Sequence, residues 1–246
     1  MSLTLKEMQG DLHPKWTQEE MESKMNLIHN MDCLEFMKKV PDDYFDLVLT
    51  DIPYEECDID NNGIWDKNSN MADMHKADKN TFDLNVFIEE LERICSGSFY
   101  VFCGTEQVSR IREFFNIKHT TRLIIWEKTN PMPINGKYVF LSGIETCVWS
   151  RKSGTTFNES CRNTVFRYPL GIDRSSHPTT KPLKLFEEFI KISSNSGDKV
   201  FDLCMGSGTT AIASLALNRD WCGCELESDY VEIANKRLEQ VQGSLF

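Results

Sequence analysis

The stretch KVFDLCMGSGTTAIASLALNRDWCGCE, residues 199–225, reads as strand, tight glycine turn, helix, strand. Its opening run is apolar, with β-branched and aromatic residues. Gly206 and Gly208 let the backbone turn sharply and approach a ligand. Ala211 completes a G-x-G-x-x-A spacing, and Glu225 ends the second apolar run. An acid at that place suits the two hydroxyls of a ribose. Asp202, near the end of its strand, is placed for an amino group on the ligand. The spacing fits a dinucleotide, and it equally fits S-adenosylmethionine. It does not fit the phosphate loop of an ATPase, because no Lys follows Gly208 at the required place.

Outward from this unit the chain alternates between strand and helix signals. Seven short apolar runs read as strands: 26–29 (NLIH), 46–50 (DLVLT), 98–103 (SFYVFC), 121–127 (TRLIIWE), 146–150 (TCVWS), 199–204 (KVFDLC) and 221–225 (WCGCE). Helical patterns lie at 31–40, 84–95, 105–116, 182–193, 208–218 and 228–240. Such alternation predicts an α/β fold: a mostly parallel sheet with helices on both faces. No helix separates 121–127 from 146–150, so these runs form an antiparallel end to the sheet. Residues 55–82 and 151–176 are polar and stand outside the pattern; long loops in a compact domain are usually functional or disordered.

The chain of 246 residues is 40% hydrophobic and 26% charged, ordinary for one soluble domain. No apolar run approaches the ~20 residues of a membrane span. The first twenty residues lack the apolar stretch of a secretory signal. Nine cysteines occur without a CxxC pair, which predicts reduced, mostly buried thiols and no metal site. The net charge of −11 conceals a division: residues 117–184 carry eleven bases and four acids, a balance of +7, and the remainder is −18. A basic segment on an acidic body makes a local positive face.

The run at 46–50 leads into TDIPY, residues 50–54. Asp51 is an acceptor, Pro53 stiffens the turn, and Tyr54 is a stacking surface. Together they suit a flat ring with an exocyclic amine, whose two N–H bonds go to the Asp51 carboxylate and the Ile52 carbonyl. Enzymes acting on a nucleobase must first take it out of the stack, and this pocket receives such a base.

With these residues the chain resembles the DNA amino-methyltransferases. TDIPY is similar to their Asp-Pro-Pro-Tyr motif, DLCMGSGTT (202–210) to their cofactor loop, and HPTTKP (177–182) to their His-Pro-Thr-x-Lys-Pro segment. The catalytic motif precedes the cofactor motif, the permuted order of the β group. The likeness extends over roughly residues 26–240, including WEKTNPMP (126–133). Two departures are Ile52, where the family has Pro, and Leu203-Cys204-Met205 in the cofactor loop.

The resemblance implies a Rossmann-like S-adenosylmethionine-dependent methyltransferase fold with a seven-stranded sheet. In the sequence runs its order is 26–29, 221–225, 199–204, 46–50, 98–103, 146–150, 121–127. It implies an N-terminal extension (1–25) and one methyltransferase domain (26–246) with a mobile loop at 55–82 and a small target-recognition segment near 151–176. Asp51, Ile52, Pro53 and Tyr54 would be catalytic. Asp32 and Cys33 would border the adenine of S-adenosyl-L-methionine and Glu225 its ribose. Asp202, Gly206, Ser207, Gly208 and Thr209 would hold the methionine end, and Thr179 and Lys181 its carboxylate. Arg151, Lys152, Arg162, Arg167 and Arg174 would meet DNA. An Asp opening the motif leans toward adenine N6 over cytosine N4. The resemblance also allows a homodimer, a partnering restriction endonuclease, and a cytoplasmic, bacterial or phage-encoded setting.

Overall fold

The computed structural model describes residues 14–54, 83–131, 140–171 and 180–244. The loop 55–82, Arg174, His177 and Thr179 lie outside the described residues.

Eight strands form one sheet: β1 (Ile28–Asn30), β2 (Phe45–Asp51), β3 (Cys95–Cys103), β4 (Thr120–Lys128), β5 (Ile144–Arg151), β6 (Val165–Tyr168), β7 (Lys199–Asp202) and β8 (Asp220–Glu225). Their order is β1-β8-β7-β2-β3-β5-β4-β6. Seven of these strands stand in the expected order. The eighth, β6, falls inside the segment read as polar loop, and it corrects the seven-stranded expectation. It is short and lies at the edge, so it buries only Phe166 and leaves Val165 and Arg167 exposed. Such a strand carries little of the apolar signal that marks central ones. The sheet is parallel except at β5, which runs antiparallel to both β3 and β4.

Among the described residues seven helices accompany the strands: α1 (Gln18–Glu22), α2 (Cys33–Met37), α3 (Leu84–Ile94), α4 (Val108–Asn116), α5 (Leu183–Ser193), α6 (Thr209–Ala216) and α7 (Ser228–Ser244). In α3 the buried residues Leu84, Phe87, Ile88, Leu91 and Ile94 recur at helical spacing, which turns one stripe to the sheet. The Asp83 carboxylate caps it, accepting from the backbone N–H groups of Asn85 and Val86.

The central strand β2 divides its side chains between two cores. Phe45 and Val48 face the core made with α1 to α4. Leu47 and Leu49 face the core made with α5 and α6. From Leu47 onward the period of two along a strand buried on both faces produces this division, and the irregularity between Phe45 and Leu47 puts Phe45 on the side of Val48. Phe45 stacks on Phe201 with ring centroids 4.4 Å apart. Tyr100 stacks on Phe189 at 4.6 Å on the opposite face. The register of β2 on β3 shifts between Phe45 and Leu47. There the chains approach so closely that a Cβ on Gly97 would lie 1.9 Å from the Asp46 carbonyl oxygen.

The residues read as an N-terminal extension join this core where they are described. Met21 is fully buried, and the Trp16 N–H donates to the Lys39 carbonyl. Thr17 and Glu20 form a reciprocal capping box on α1. The T-x-x-E pattern at 17–20 carries a local signal for that helix, which was not among the helical patterns read from the sequence. All eight described cysteines are free, and five of them are buried. No described helix is long and apolar enough to cross a membrane.

Candidate active site

The carboxyl ends of β1, β8, β7 and β2 stand side by side, and the chain diverges between β7 and β2. Ligands of open α/β sheets bind in the crevice at such a point. Asp51 ends β2, and the glycine loop follows β7 in the neighbouring position.

The turn after β2 is tied down. The Ile52 N–H donates to the Phe102 carbonyl at 3.1 Å. The Gln107 side chain donates to the Pro53 carbonyl at 3.0 Å and accepts from the Gly104 N–H at 2.9 Å. Tyr54 packs over Gly104, where a Cβ would come within 3.3 Å of the tyrosine Cβ. The Tyr54 hydroxyl donates to Glu145 Oε2 at 3.2 Å.

Lys181 enters this turn from the segment before α5. Its ammonium lies 2.5 Å from Asp51 Oδ2 and 2.9 Å from Glu145 Oε2. The other Glu145 oxygen pairs with Lys128 at 2.9 Å. Lys181, expected at the cofactor's carboxylate, is paired here with the two acids. The two acids neutralise its buried charge at the catalytic end. Lys181 holds Asp51 Oδ2, and among the described residues the buried Oδ1 has no hydrogen-bond partner. Burial raises the Asp51 carboxyl above its ordinary value; Lys181 opposes the rise and the Glu145 charge adds to it. Burial also pushes Glu145 up, but Lys181 and Lys128 together hold it below the ordinary glutamate range. The two acids keep Lys181 firmly protonated against the effect of its burial.

Glu145, Lys128 and Gln107 were not singled out from sequence. The available signal was an acid opening the otherwise apolar run 144–150. The antiparallel direction expected for this run is borne out, and it puts the start of β5 beside the ends of β3 and β4.

On the cofactor side, Gly206 and Gly208 have φ of 50° and 83°, the left-handed region that glycine enters at least cost. At Gly208 a Cβ would also lie 3.0 Å from the Ala234 Cβ of α7. Glu225 stands at the end of β8 and accepts the Gly206 N–H at 2.8 Å. Asp32 follows β1 and caps α2, accepting from the N–H groups of Leu34 and Glu35. Cys33 and Cys204 are both partly buried against the core beneath. Ser207 is buried, and its hydroxyl lies 3.4 Å from that of Thr180. Helix α6 begins after Gly208 without a side-chain cap, and the buried Thr209 hydroxyl has no partner among the described residues. Its first-turn N–H groups can therefore meet a carboxylate. These residues fit S-adenosylmethionine: acids for a ribose, an uncapped helix end for a carboxylate, and a glycine bend for close approach.

Asp202 departs from its expected role. Its carboxylate is 3% exposed and accepts from the Thr210 hydroxyl at 2.5 Å and the Cys204 N–H at 3.1 Å. It braces the glycine loop from within. Burial pushes its carboxyl up to about 7, against the Thr210 and Cys204 hydrogen bonds. The folded chain then binds a proton that the unfolded chain releases near 3.8. This contribution to stability is complete below that value and is lost as pH rises through about 7. Asp202→Asn is expected to remove it, leaving a shallower fall in urea midpoint between pH 4 and 7 than in the wild type. Parallel curves for the two proteins would refute a protonated Asp202.

The basic residues scatter. Arg151 ends β5, which runs away from the site, and Lys152 follows it. Arg151 lies six residues beyond Glu145, roughly 20 Å at about 3.3 Å per residue. Lys152 pairs there with Asp43 at 2.9 Å, and Arg151 donates to the Thr155 carbonyl at 3.3 Å. Strand direction thus places these two, expected to meet DNA, away from the catalytic turn. Arg162 pairs with Glu188 and covers the Phe166 ring. Arg167 is well exposed near the carboxyl end of the sheet edge, paired with Glu127 at 2.9 Å.

This combination of sheet order, glycine loop and carboxylate-ended strand defines a class. The family described as DNA methylase matches residues 45–236, and the chain belongs to that family of amino-methylating enzymes. Among curated relatives, the Type II methyltransferase M.HinfI of Haemophilus influenzae is 28% identical over 91% of this chain and 71% of its own length. The Type II methyltransferase M2.MboI of Moraxella bovis is 28% identical over 90% of each. Among solved structures, the M1.HpyAVI–SAM complex aligns with a TM-score of 0.64 at 27% identity, covering 86% of this chain and 98% of that one. The cytosine-N4-specific PvuII DNA methyltransferase aligns at 0.67 and 18% identity over 88% and 89%, a likeness of fold.

Proposed function

We propose that this DNA methyltransferase transfers the methyl group of S-adenosyl-L-methionine to the N6 amine of an adenine turned out of the DNA duplex. The observation that carries the reading is the Asp51 carboxylate. It stands beside the cofactor loop with one oxygen held by Lys181 and the other unpartnered. When bound, the cofactor supplies a methyl group on a sulfonium, open to in-line displacement.

The chain's own residues then have distinct tasks. Asp51 and the Ile52 carbonyl accept the two N–H bonds of the amine and favour its developing positive charge. Tyr54, anchored through its hydroxyl to Glu145, offers its ring to the base. The tied turn keeps these groups rigid, so the amine is positioned without reorganisation at the moment of reaction. Glu225 and Asp32 serve the nucleoside end of the cofactor, and the uncapped α6 serves its carboxylate. The choice of adenine rests on the Asp that opens the motif. Of the five arginines and lysines first considered for DNA, Arg167 is suited to phosphate, which competes with Glu127 for its exposed guanidinium.

The test is methyl transfer from labelled S-adenosylmethionine to unmethylated DNA, followed by mass analysis of nucleosides. N6-methyladenine is the expected product. N4-methylcytosine would keep the chemistry and overturn the base. No incorporation despite cofactor binding would overturn the reading.

A further inference from the structure

Lys181 has two anionic partners where one would neutralise it. Glu145 reaches three groups: the Lys181 ammonium, Lys128 from β4 and the Tyr54 hydroxyl. The four charges of Asp51, Glu145, Lys128 and Lys181 cancel. This second carboxylate matters because Lys181 is only 7% exposed. A buried ammonium with Asp51 as its sole counterion would hold that carboxylate against any incoming amine, because an unpaired buried charge is strongly unfavourable. With Glu145 present, Lys181 stays neutralised when Asp51 turns to another donor.

We propose that Glu145 is a positioning residue for methyl transfer: it retains Lys181 and fixes Tyr54, and so releases Asp51 to the target amine. This rests on the reading of Asp51 as the amine acceptor. Glu145 itself touches neither base nor cofactor in this role.

The charged and titratable groups that face Asp51 come from every neighbouring element. They are Lys181 ahead of α5, Glu145 and Cys147 on β5, Tyr54 after β2, Cys103 on β3 and Asp202 at the end of β7. Lys181 is the one cation of this group. Burial holds both thiols neutral. Lys181 lowers the Asp51 pKa and Glu145 raises it. Burial is the larger raising influence and stays in place, but removing the Glu145 charge takes away the other, so the balance moves toward the lowering effect of Lys181. The acid limb of kcat/KM, which reports an essential base of the free enzyme, then moves to lower pH. A purely structural role for Glu145 would not move that limb in this direction.

The experiment compares wild type, Glu145→Gln and Glu145→Asp by steady-state methyl transfer from about pH 5 to 9. Cofactor binding is measured on the same preparations. Glu145→Gln is expected to bind cofactor normally and to lose roughly 10²-fold in kcat. Its acid limb should shift to lower pH. Glu145→Asp keeps the charge with a shorter reach, so it should retain the wild-type limb with a lowered kcat. A Glu145→Gln enzyme with wild-type kcat, or with lowered kcat and an unmoved limb, overturns the proposal. If Glu145→Gln fails to bind cofactor, Glu145→Asp decides: wild-type kcat there overturns the proposal, and lowered kcat with the wild-type limb supports it. A wild type inactive on DNA overturns the functional reading itself, an outcome distinct from the others.

Discussion

Asp51→Ala is expected to abolish measurable methyl transfer while cofactor binding persists. The substitution removes an acceptor at the place where positive charge develops on the amine. Losing one such preorganised group typically costs about 10²–10³ in kcat. Here the loss should be larger, because Asp51 also orients the amine toward the cofactor loop. The fold should tolerate the change. Lys181 keeps its contact with Glu145 at 2.9 Å, so its charge remains paired. Ile52 is still held by the Phe102 carbonyl, and Pro53 by Gln107. The glycine loop is braced independently by Asp202 and Glu225. Single-turnover kinetics beside cofactor titration provide the measurement. Turnover within tenfold of wild type would remove Asp51 from the mechanism.

Lys181→Met is expected to destabilise the chain by about 3–5 kcal/mol near neutral pH, the usual cost of removing one partner of a buried ion pair. Asp51 and Glu145 would face each other with Lys128 as their remaining cation. Their carboxyl groups would respond by titrating upward. Both pKa values would then lie above those of the unfolded chain, so the folded variant would bind protons that the unfolded chain releases. Stability is therefore greatest at low pH and falls as pH rises through the raised values. The deficit against wild type should be small near pH 4 and full by pH 8. Urea unfolding at several pH values measures it. A deficit independent of pH would mean that Lys181 acts by packing alone. Activity should be lost as well, because a protonated Asp51 accepts poorly from an amine.

The two experiments separate parts of the site that differ in how visible they were in sequence. The acceptor, the stacking ring and the glycine bend sit in contiguous runs, TDIPY and DLCMGSGTT. Their local chemistry is complete in a few residues. The partners that tune them are remote: Lys181 is 130 residues from Asp51, and Tyr54 is 91 from Glu145. No local pattern marks such pairs.

What the sequence by itself determined is the set of apolar runs, the turns between them and the residues at their carboxyl ends. A strand such as β2, buried on both faces, needs a near-continuous apolar stretch, and a left-handed bend such as Gly208 needs glycine. These are short-range requirements, and they were enough to place seven strands; their order came from the resemblance to the DNA amino-methyltransferases. Tertiary structure alone decided the edge strand β6 and the charge cluster. The antiparallel pairing of β4 and β5 was expected from the missing helix between them, but which side chains that direction brings together is a long-range condition that composition does not encode. That one direction brought Glu145 to the catalytic turn and carried Arg151 and Lys152 to the opposite edge. It also made Lys181 a partner of Asp51, because a buried ammonium goes where two carboxylates can hold it.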